Sequence, residues 1–141
     1  MSPCGFTPRR GTGLEDVDPA ARVIANWIIA REAGDVAAAA SCCHESFLFA
    51  SPNKRDSISG LADAKTRLFT QQAPVPVKIL APLQLKEDTA GNNRPIYFRE
   101  VSFKVPTPNM GTQILDIRQE WMIIHGDTPL IGSLAATRVK R

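Results

Sequence analysis

The chain has 141 residues, which is enough for one domain with a hydrophobic core, since single domains usually hold roughly 100–150 residues. Its 43% apolar and 22% charged residues are typical of an ordinary globular protein. No apolar run reaches the roughly 18 residues of a membrane span, and the N-terminal segment lacks a hydrophobic signal core, so we expect a soluble intracellular protein. Composition does not distinguish the cytoplasm from the interior of an organelle.

The net charge of +3 at pH 7 does not indicate a nucleic-acid-binding surface. Five of the 17 basic residues lie in the tails, which leaves 12 basic residues against 14 acidic ones. A nucleic-acid-binding domain carries its basic residues on the folded surface, with aromatic residues among them. We therefore expect no nucleic-acid partner, although basic tails could contact an acidic protein. The tail residues are Arg9, Arg10, Arg138, Lys140 and Arg141.

The three cysteines, Cys4, Cys42 and Cys43, predict neither a disulfide framework nor a metal site. His44 follows the adjacent pair, but the side chains of neighbouring residues point in different directions. Structural zinc sites usually combine a C-x2–4-C pair with a second pair elsewhere, and the sequence has no second pair. We expect a thiol packed in the core at a helix end, and no metal or other cofactor.

Residues 1–16 are predicted to form a flexible tail, because they hold three glycines and two prolines and few apolar side chains. Residues 17–141 are predicted to form a single domain. This segment contains no internal repeat.

Local signals predict two helices at the start of the domain. Asp18–Pro19 matches an N-cap followed by proline at the first helical position, and the helix then extends to about Ala33. Gly34 fits the left-handed residue that ends a helix, and Asp35 fits the cap of the next one. The second helix, Val36–Cys43, holds mostly small residues, which suits close packing. The apolar face of the first helix contains Val23, Ile24, Trp27 and Ile28.

The rest of the chain is predicted to be mainly strand and turn. A short strand over Phe47–Phe49 precedes a turn over 51–53, a charged loop over 54–57 and a third helix that starts near Ser59. Pro82 cannot donate to a strand ladder, so it must lie at an edge or a bulge. Four long strands are predicted over Val77–Lys86, Pro95–Val105, Gln113–His125 and Leu130–Lys140. They are joined by turns or loops over 89–93, 106–110 and 126–129. Helices followed by an antiparallel sheet indicate an α+β class.

This order of elements resembles the nuclear-transport-factor-2-like superfamily. The features that carry the resemblance are the Ala-Gly-Asp corner between two helices, the strand that ends before a Ser-Pro turn, and the Ser-Gly that precedes the third helix. Over Asn26–Gly60 the chain can be aligned with the ketosteroid isomerase pattern without gaps. The resemblance implies a cone-shaped fold, with three N-terminal helices packed on a curved antiparallel sheet around one pocket. The superfamily includes isomerases, SnoaL-type cyclases and non-enzymatic assembly domains, so the fold alone does not imply a reaction.

The resemblance also implies that the isomerase reaction is absent. Trp27 stands where those enzymes have an oxyanion-donating tyrosine, Ser51 stands where they have the aspartate base, and Gln119 lies near the position of a protonated aspartate. A serine without an activating base cannot take a proton from a carbon acid at neutral pH, because its pKa lies far above that of a carboxylate. A shift of one residue would bring Glu120 to the pocket instead of Gln119.

Alternation along the second and third long strands separates a pocket face from an outer face. The predicted pocket is lined by Trp27, Tyr97, Arg99, Phe103, Gln119 and Trp121. The predicted outer face, which mixes apolar and charged side chains as subunit interfaces do, includes Phe98, Arg118, Met122 and Ile124. Tyr97 and Glu120 are the candidates for acid–base catalysis.

Arg99 needs a partner if it points inward, because an unpaired buried charge costs several kcal/mol. It could bind a carboxylate or phosphate ligand bidentately. Alternatively, it could pair with Asp116 or Glu100, which would argue against a ligand in the pocket.

We predict a non-catalytic subunit that forms a homodimer or a larger complex through the outer sheet face and holds a mainly apolar pocket. Two alternatives remain open at this point. One is a small lyase, isomerase, cyclase or hydrolase that acts on an apolar compound. The other is a binder of an acidic apolar metabolite.

Overall fold

The structure is a computed structural model that describes residues 14, 17–51, 56–87, 94–109 and 111–139. The flexible tail predicted over 1–16 and the turns predicted over 51–53 and 89–93 lie wholly or mostly outside these ranges, as does half of the charged loop over 54–57. The basic residues Arg9, Arg10, Lys140 and Arg141 also lie outside them. None of the helices within the ranges is long and apolar enough to cross a bilayer.

The described residues form three helices and six strands. The helices are α1 (Pro19–Ala33), α2 (Val36–Ser41) and α3 (Leu61–Arg67). The strands are β1 (Cys43–Ala50), β2 (Ile58–Ser59), β3 (Pro76–Glu87), β4 (Ile96–Thr107), β5 (Gly111–His125) and β6 (Pro129–Arg138).

The corner between α1 and α2 has the predicted caps. The side chain of Asp18 accepts a hydrogen bond from the N–H of Ala20, and that of Asp35 accepts one from Ala38. Gly34 has φ +74° and its N–H donates to carbonyls of the last helical turn. Each cap satisfies a backbone group that the helix end leaves unpaired.

The second helix is shorter than predicted, and the strand after it is longer. Helix α2 ends at Ser41, and Cys43 is already the first residue of β1. The reason is tertiary pairing: the N–H of Ile131 donates to the carbonyl of Cys42, and Cys43 lies opposite Ile131 in the sheet. Six small residues form too short a helix to resist this competition.

The six strands form one sheet in the order β2-β1-β6-β5-β4-β3. The expectation of a wholly antiparallel sheet is wrong in one respect, because β1 pairs with β6 in parallel. All other neighbours are antiparallel. A parallel pair requires a long crossover, and here the crossover includes α3 and three intervening long strands.

The edge strand β3 accommodates Pro82 in both of the predicted ways. It pairs with β4 alone, and the register shifts between Ala81 and Gln84, on either side of the proline. Pro106, predicted to lie in a loop, instead extends β4 and faces Thr112 of β5. Pro106 has no N–H to donate to a neighbouring strand. Strand β3 begins opposite Phe103 and therefore does not pair with Pro106.

The helices pack on one face of the curved sheet, which gives the cone-shaped α+β fold. Trp27 of α1 contacts the rings of Phe69 and Trp121 edge-on, at centroid distances of 6.0 and 6.3 Å. The largest fully buried side chains are Trp121, Phe47, Phe69, Ile24, Ile123, Ile131 and Val101. This core supports one side of a cavity that opens beside it.

Candidate functional site

A cavity of about 220 Å³ lies between α1, the segment after α3 and the inner face of the sheet. At roughly 30 Å³ per molecule it would hold about seven waters. Four of the six residues predicted to line a pocket do line it, namely Trp27, Arg99, Phe103 and Gln119. The other lining residues are Ile28, Arg31, Glu32, Phe49, Leu68, Ala73, Pro74, Ile117, Leu134 and Ala136.

Arg99 and Gln119 are brought together by strand register. They are directly opposite on β4 and β5, so both side chains point to the same face of the sheet. The Nε–H of Arg99 donates to Oε1 of Gln119 at 2.7 Å. The amide therefore holds one edge of the guanidinium in a fixed orientation.

The Arg99 guanidinium forms no salt bridge with any residue that the structure describes. Neither of the expected internal partners pairs with it, since Glu100 binds Arg118 and Asp116 accepts from Ser102. Burial lowers the pKa of Arg99 to about 10 from its ordinary value of 12.5, and the charge of Glu32 opposes this shift. Arg99 is therefore a partly desolvated cation that remains charged at neutral pH.

Arg31 is a second arginine at the cavity, but its contacts are structural. Its Nη1 donates to the carbonyls of Phe69 and Gln71 at 3.3 and 3.0 Å. The guanidinium lies beside the rings of Trp27 and Phe69, at 5.9 and 5.7 Å from their centroids. Burial lowers the pKa of Arg31 as well. This side chain joins α1 to the segment that follows α3.

Sequence reasoning missed several lining residues, and a signal for some of them was present. Arg31 lies four residues after Trp27, so helical spacing alone places both on one face. Leu134 and Ala136 lie opposite Trp121 and Gln119 on the neighbouring strand. Their assignment required the register of β6, which shifts at a bulge that local alternation does not predict.

Tyr97 and Trp121 belong to the core and are not among the cavity-lining residues. The hydroxyl of Tyr97 donates to Oδ2 of Asp18 at 2.5 Å, which ties the start of α1 to β4. Trp121 is fully buried against Trp27, and its Nε1 has no hydrogen-bond partner in the described part of the chain.

Glu120 lies on the outer face, because Gln119 and not Glu120 is the residue opposite Arg99. The one-residue shift considered above therefore does not occur. Glu120 accepts hydrogen bonds from Lys86 at 3.1 and 3.2 Å and from Arg118 at 3.0 Å. The cavity lining accordingly contains neither of the two candidates for acid–base catalysis.

The outer face of the sheet carries a chain of paired charges. Glu120 binds both Lys86 and Arg118, and Arg118 also binds Glu100 at 3.2 Å. The guanidinium of Arg118 lies 4.0 Å from the ring centroid of Phe98. Two cations and two carboxylates thus compensate one another around an aromatic ring.

Met122 and Ile124 form an apolar area next to these charges. Both side chains are half-buried and lie over Gly132, which is buried beneath them. A Cβ at Gly132 would meet Ile124 at 2.7 Å and Met122 at 2.9 Å. The absence of a side chain at Gly132 therefore lets Met122 and Ile124 lie flat on the sheet.

The adjacent cysteines are buried, and they do not form a metal site with other described residues. Their sulfur atoms each lie 3.5 Å from a carbonyl of α2. Burial raises the pKa of the Cys43 thiol, and the neighbouring Cys42 adds to the shift. Within the described ranges no group of three or more His, Cys, Asp or Glu residues could hold a metal ion.

Comparison with known proteins identifies the fold. No protein-family model matches the sequence, and no curated protein matches it. A nuclear-transport-factor-2-like protein from Salmonella enterica serovar Typhimurium is similar in structure, with a TM-score of 0.64 and 13% identity over 85% of this chain and 88% of that chain. The CamKII hub homology domain of Chlamydomonas reinhardtii is also similar in structure, with a TM-score of 0.62 and 17% identity over 88% of this chain and 100% of that chain. The beta subunit of benzoate 1,2-dioxygenase from Burkholderia mallei has a TM-score of 0.59 and 13% identity over 84% of this chain and 87% of that chain.

These likenesses establish that the chain has the nuclear-transport-factor-2-like fold, as the sequence resemblance implied. At such low identity they do not carry over a function.

Proposed function

We propose that this protein, with its nuclear-transport-factor-2-like fold, is a non-catalytic subunit that associates with further copies of itself through the outer face of its sheet. The observation that carries the proposal is the half-buried apolar area of Met122 and Ile124 beside a set of charges that are already paired. Burial of these side chains by a second copy would gain apolar contact. It would leave the charges of Lys86, Glu100, Arg118 and Glu120 paired.

The paired charges favour a protein partner of the same kind. Burial of an isolated ion costs several kcal/mol, whereas an ion pair with good hydrogen bonds offsets part of that cost. Lys86 and Arg118 balance Glu100 and Glu120 within one copy. At these four residues, two identical faces can therefore meet without like charges that lack partners, as an isologous interface requires.

The size of the face also suits a dimer. Four strands about 4.8 Å apart and roughly 10 residues long, at about 3.4 Å per residue, present about 650 Å² before side-chain relief is counted. A standard interface buries about 800 Å² per partner. Among proteins with this fold, one is named as a kinase hub domain and another as an enzyme subunit, which supports an assembly role.

Light scattering coupled to size exclusion tests this proposal. We expect the wild-type chain to have a mass at least twice its monomer mass of 15.4 kDa. Ile124→Arg and Met122→Arg should each reduce the mass to that of the monomer, because they add uncompensated charge to the apolar part of the proposed interface. Ile29→Arg is the matched control: Ile29 is 42% exposed on the helical side and should leave the assembly intact.

A wild-type chain that stays monomeric at every concentration would overturn the proposal. The same holds if Ile29→Arg dissociates the assembly while Ile124→Arg does not. Circular dichroism of each variant checks that the fold is retained.

A further inference from the structure

We propose that the cavity between α1 and the inner sheet face binds a small apolar monocarboxylic acid, with the carboxylate held by Arg99. This site is independent of the proposed assembly, because the cavity and the outer face lie on opposite sides of the sheet. The argument rests on the free donors of Arg99, the apolar lining, the cavity volume and the position of Glu32.

Arg99 has donors available for an anion. A guanidinium carries five N–H donors, and the Arg99 contacts within the described residues use only Nε, toward Gln119. Because Gln119 occupies the Nε position, the end-on edge formed by Nη1 and Nη2 is the one left for bidentate contact with a carboxylate. Gln119 is thus a positioning residue that aims this edge.

The environment strengthens the attraction for an anion. The Arg99 guanidinium lies 5.8 Å from the ring centroid of Trp121, and its pKa is lowered by burial. A partly desolvated cation interacts more strongly with a counterion than an exposed one does. A bound carboxylate would make the direct contact with Arg99 that no carboxylate in the described part of the chain makes.

The second arginine at the cavity does not compete for this role. Arg31 donates to the carbonyls of Phe69 and Gln71 and lies against two aromatic rings. The ligand's charged end is therefore expected at Arg99 rather than at Arg31, whose position is set by these carbonyls and rings.

Cavity volume and lining define the rest of the ligand. A cavity of roughly 150 Å³ accommodates benzene, so about 220 Å³ suits a molecule of about eight to ten non-hydrogen atoms. Most lining side chains are apolar, including Phe49, Leu68, Phe103 and Leu134. A short aliphatic or single-ring acid matches both properties.

Glu32 selects against additional negative charge. It is exposed on α1 and lines the same cavity as Arg99. A ligand with one negative charge can place it in direct contact with the guanidinium, and this contact offsets the repulsion by Glu32. A phosphate monoester or a dicarboxylate would bring a second charge, which Glu32 would repel.

Isothermal titration calorimetry on the full chain tests the proposal, with hexanoate and phenylacetate as probes. We expect both acids to bind, and hexan-1-ol and hexyl phosphate to bind at least tenfold more weakly than hexanoate. Arg99→Met should weaken hexanoate at least tenfold. Arg99→Lys keeps the charge but not the paired donors, so it should weaken binding by a smaller factor.

Two further variants complete the test. Gln119→Leu should weaken hexanoate but leave the affinity for hexan-1-ol unchanged, because only the orientation of the guanidinium is lost. Arg67→Met, at an exposed arginine outside the cavity, is the matched control and should bind like wild type.

The proposal is overturned if neither acid binds, if hexan-1-ol or hexyl phosphate binds as tightly as hexanoate, or if both Arg99 variants retain wild-type affinity. Failure here is distinguishable from failure of the assembly proposal. Ile124→Arg should become monomeric and still bind hexanoate.

Discussion

At the scale of single residues, the two arginines at the cavity differ in the contacts that offset the cost of burying them. Arg31 is 8% exposed and donates to two backbone carbonyls, which joins α1 to the segment after α3. Arg99 has one amide partner and no salt bridge with a described residue. The folded-state pKa of Arg99 lies below its ordinary value, so the charged form is disfavoured on folding, and this cost applies at every pH below about 10.

Replacement of the two arginines by methionine should separate these roles. We expect Arg31→Met to lower the free energy of unfolding by about 2–3 kcal/mol, since buried carbonyls lose a charged donor. Arg99→Met should leave it unchanged or raise it by about 1 kcal/mol, because a desolvated charge is removed. Urea denaturation at pH 7 without ligand measures both. Arg67→Met, at an exposed salt bridge with Asp63, should change it by less than about 0.5 kcal/mol.

An Arg99→Met variant that loses as much stability as Arg31→Met would show that Arg99 is a structural residue.

At the scale of elements, helix ends follow local chemistry while strand partners do not. The corner between α1 and α2 depends on Gly34, whose φ of +74° lies in the left-handed region. A Cβ at this position would meet no atom within 4 Å, so any cost of a side chain comes from the backbone conformation alone.

Gly34→Ala should therefore lower the free energy of unfolding by about 1–2 kcal/mol. The matched control is Gly126→Ala in the turn before β6. Gly126 does not have a positive φ, and its nearest Cβ contact is at 4.0 Å, so the added methyl should be neutral or slightly stabilising. Urea denaturation compares the two variants. Equal effects would contradict the conformational explanation.

At the scale of the whole molecule, the buried thiols can distinguish local opening of the core from global unfolding. Cys42 and Cys43 are each 5% exposed at the junction of α2 and β1. The raised pKa of the Cys43 thiol also suppresses the thiolate that reacts with alkylating reagents. Alkylation of this pair should therefore require opening of the core.

In a Cys4→Ser variant, both remaining thiols should react with iodoacetamide at one common rate. That rate should rise with urea according to the m-value of global unfolding. Introduction of Ser46→Cys in the same background provides an exposed thiol on β1, which should react at the rate of a free thiol. A fast phase from Cys42 or Cys43 in the absence of urea would instead reveal local opening of this junction.

The sequence by itself determined the helix caps at Asp18, Gly34 and Asp35 and the inward position of Arg99 and Gln119. These features depend on local hydrogen bonding and on the alternation of side chains along a strand, which nearby residues specify. Only the tertiary structure decided that Cys43 begins a strand, that β1 pairs in parallel with β6, and that Tyr97 binds Asp18 away from the cavity. Each of these depends on a partner distant in the chain, and the free energy of such pairing exceeds the weak local preference of a short segment.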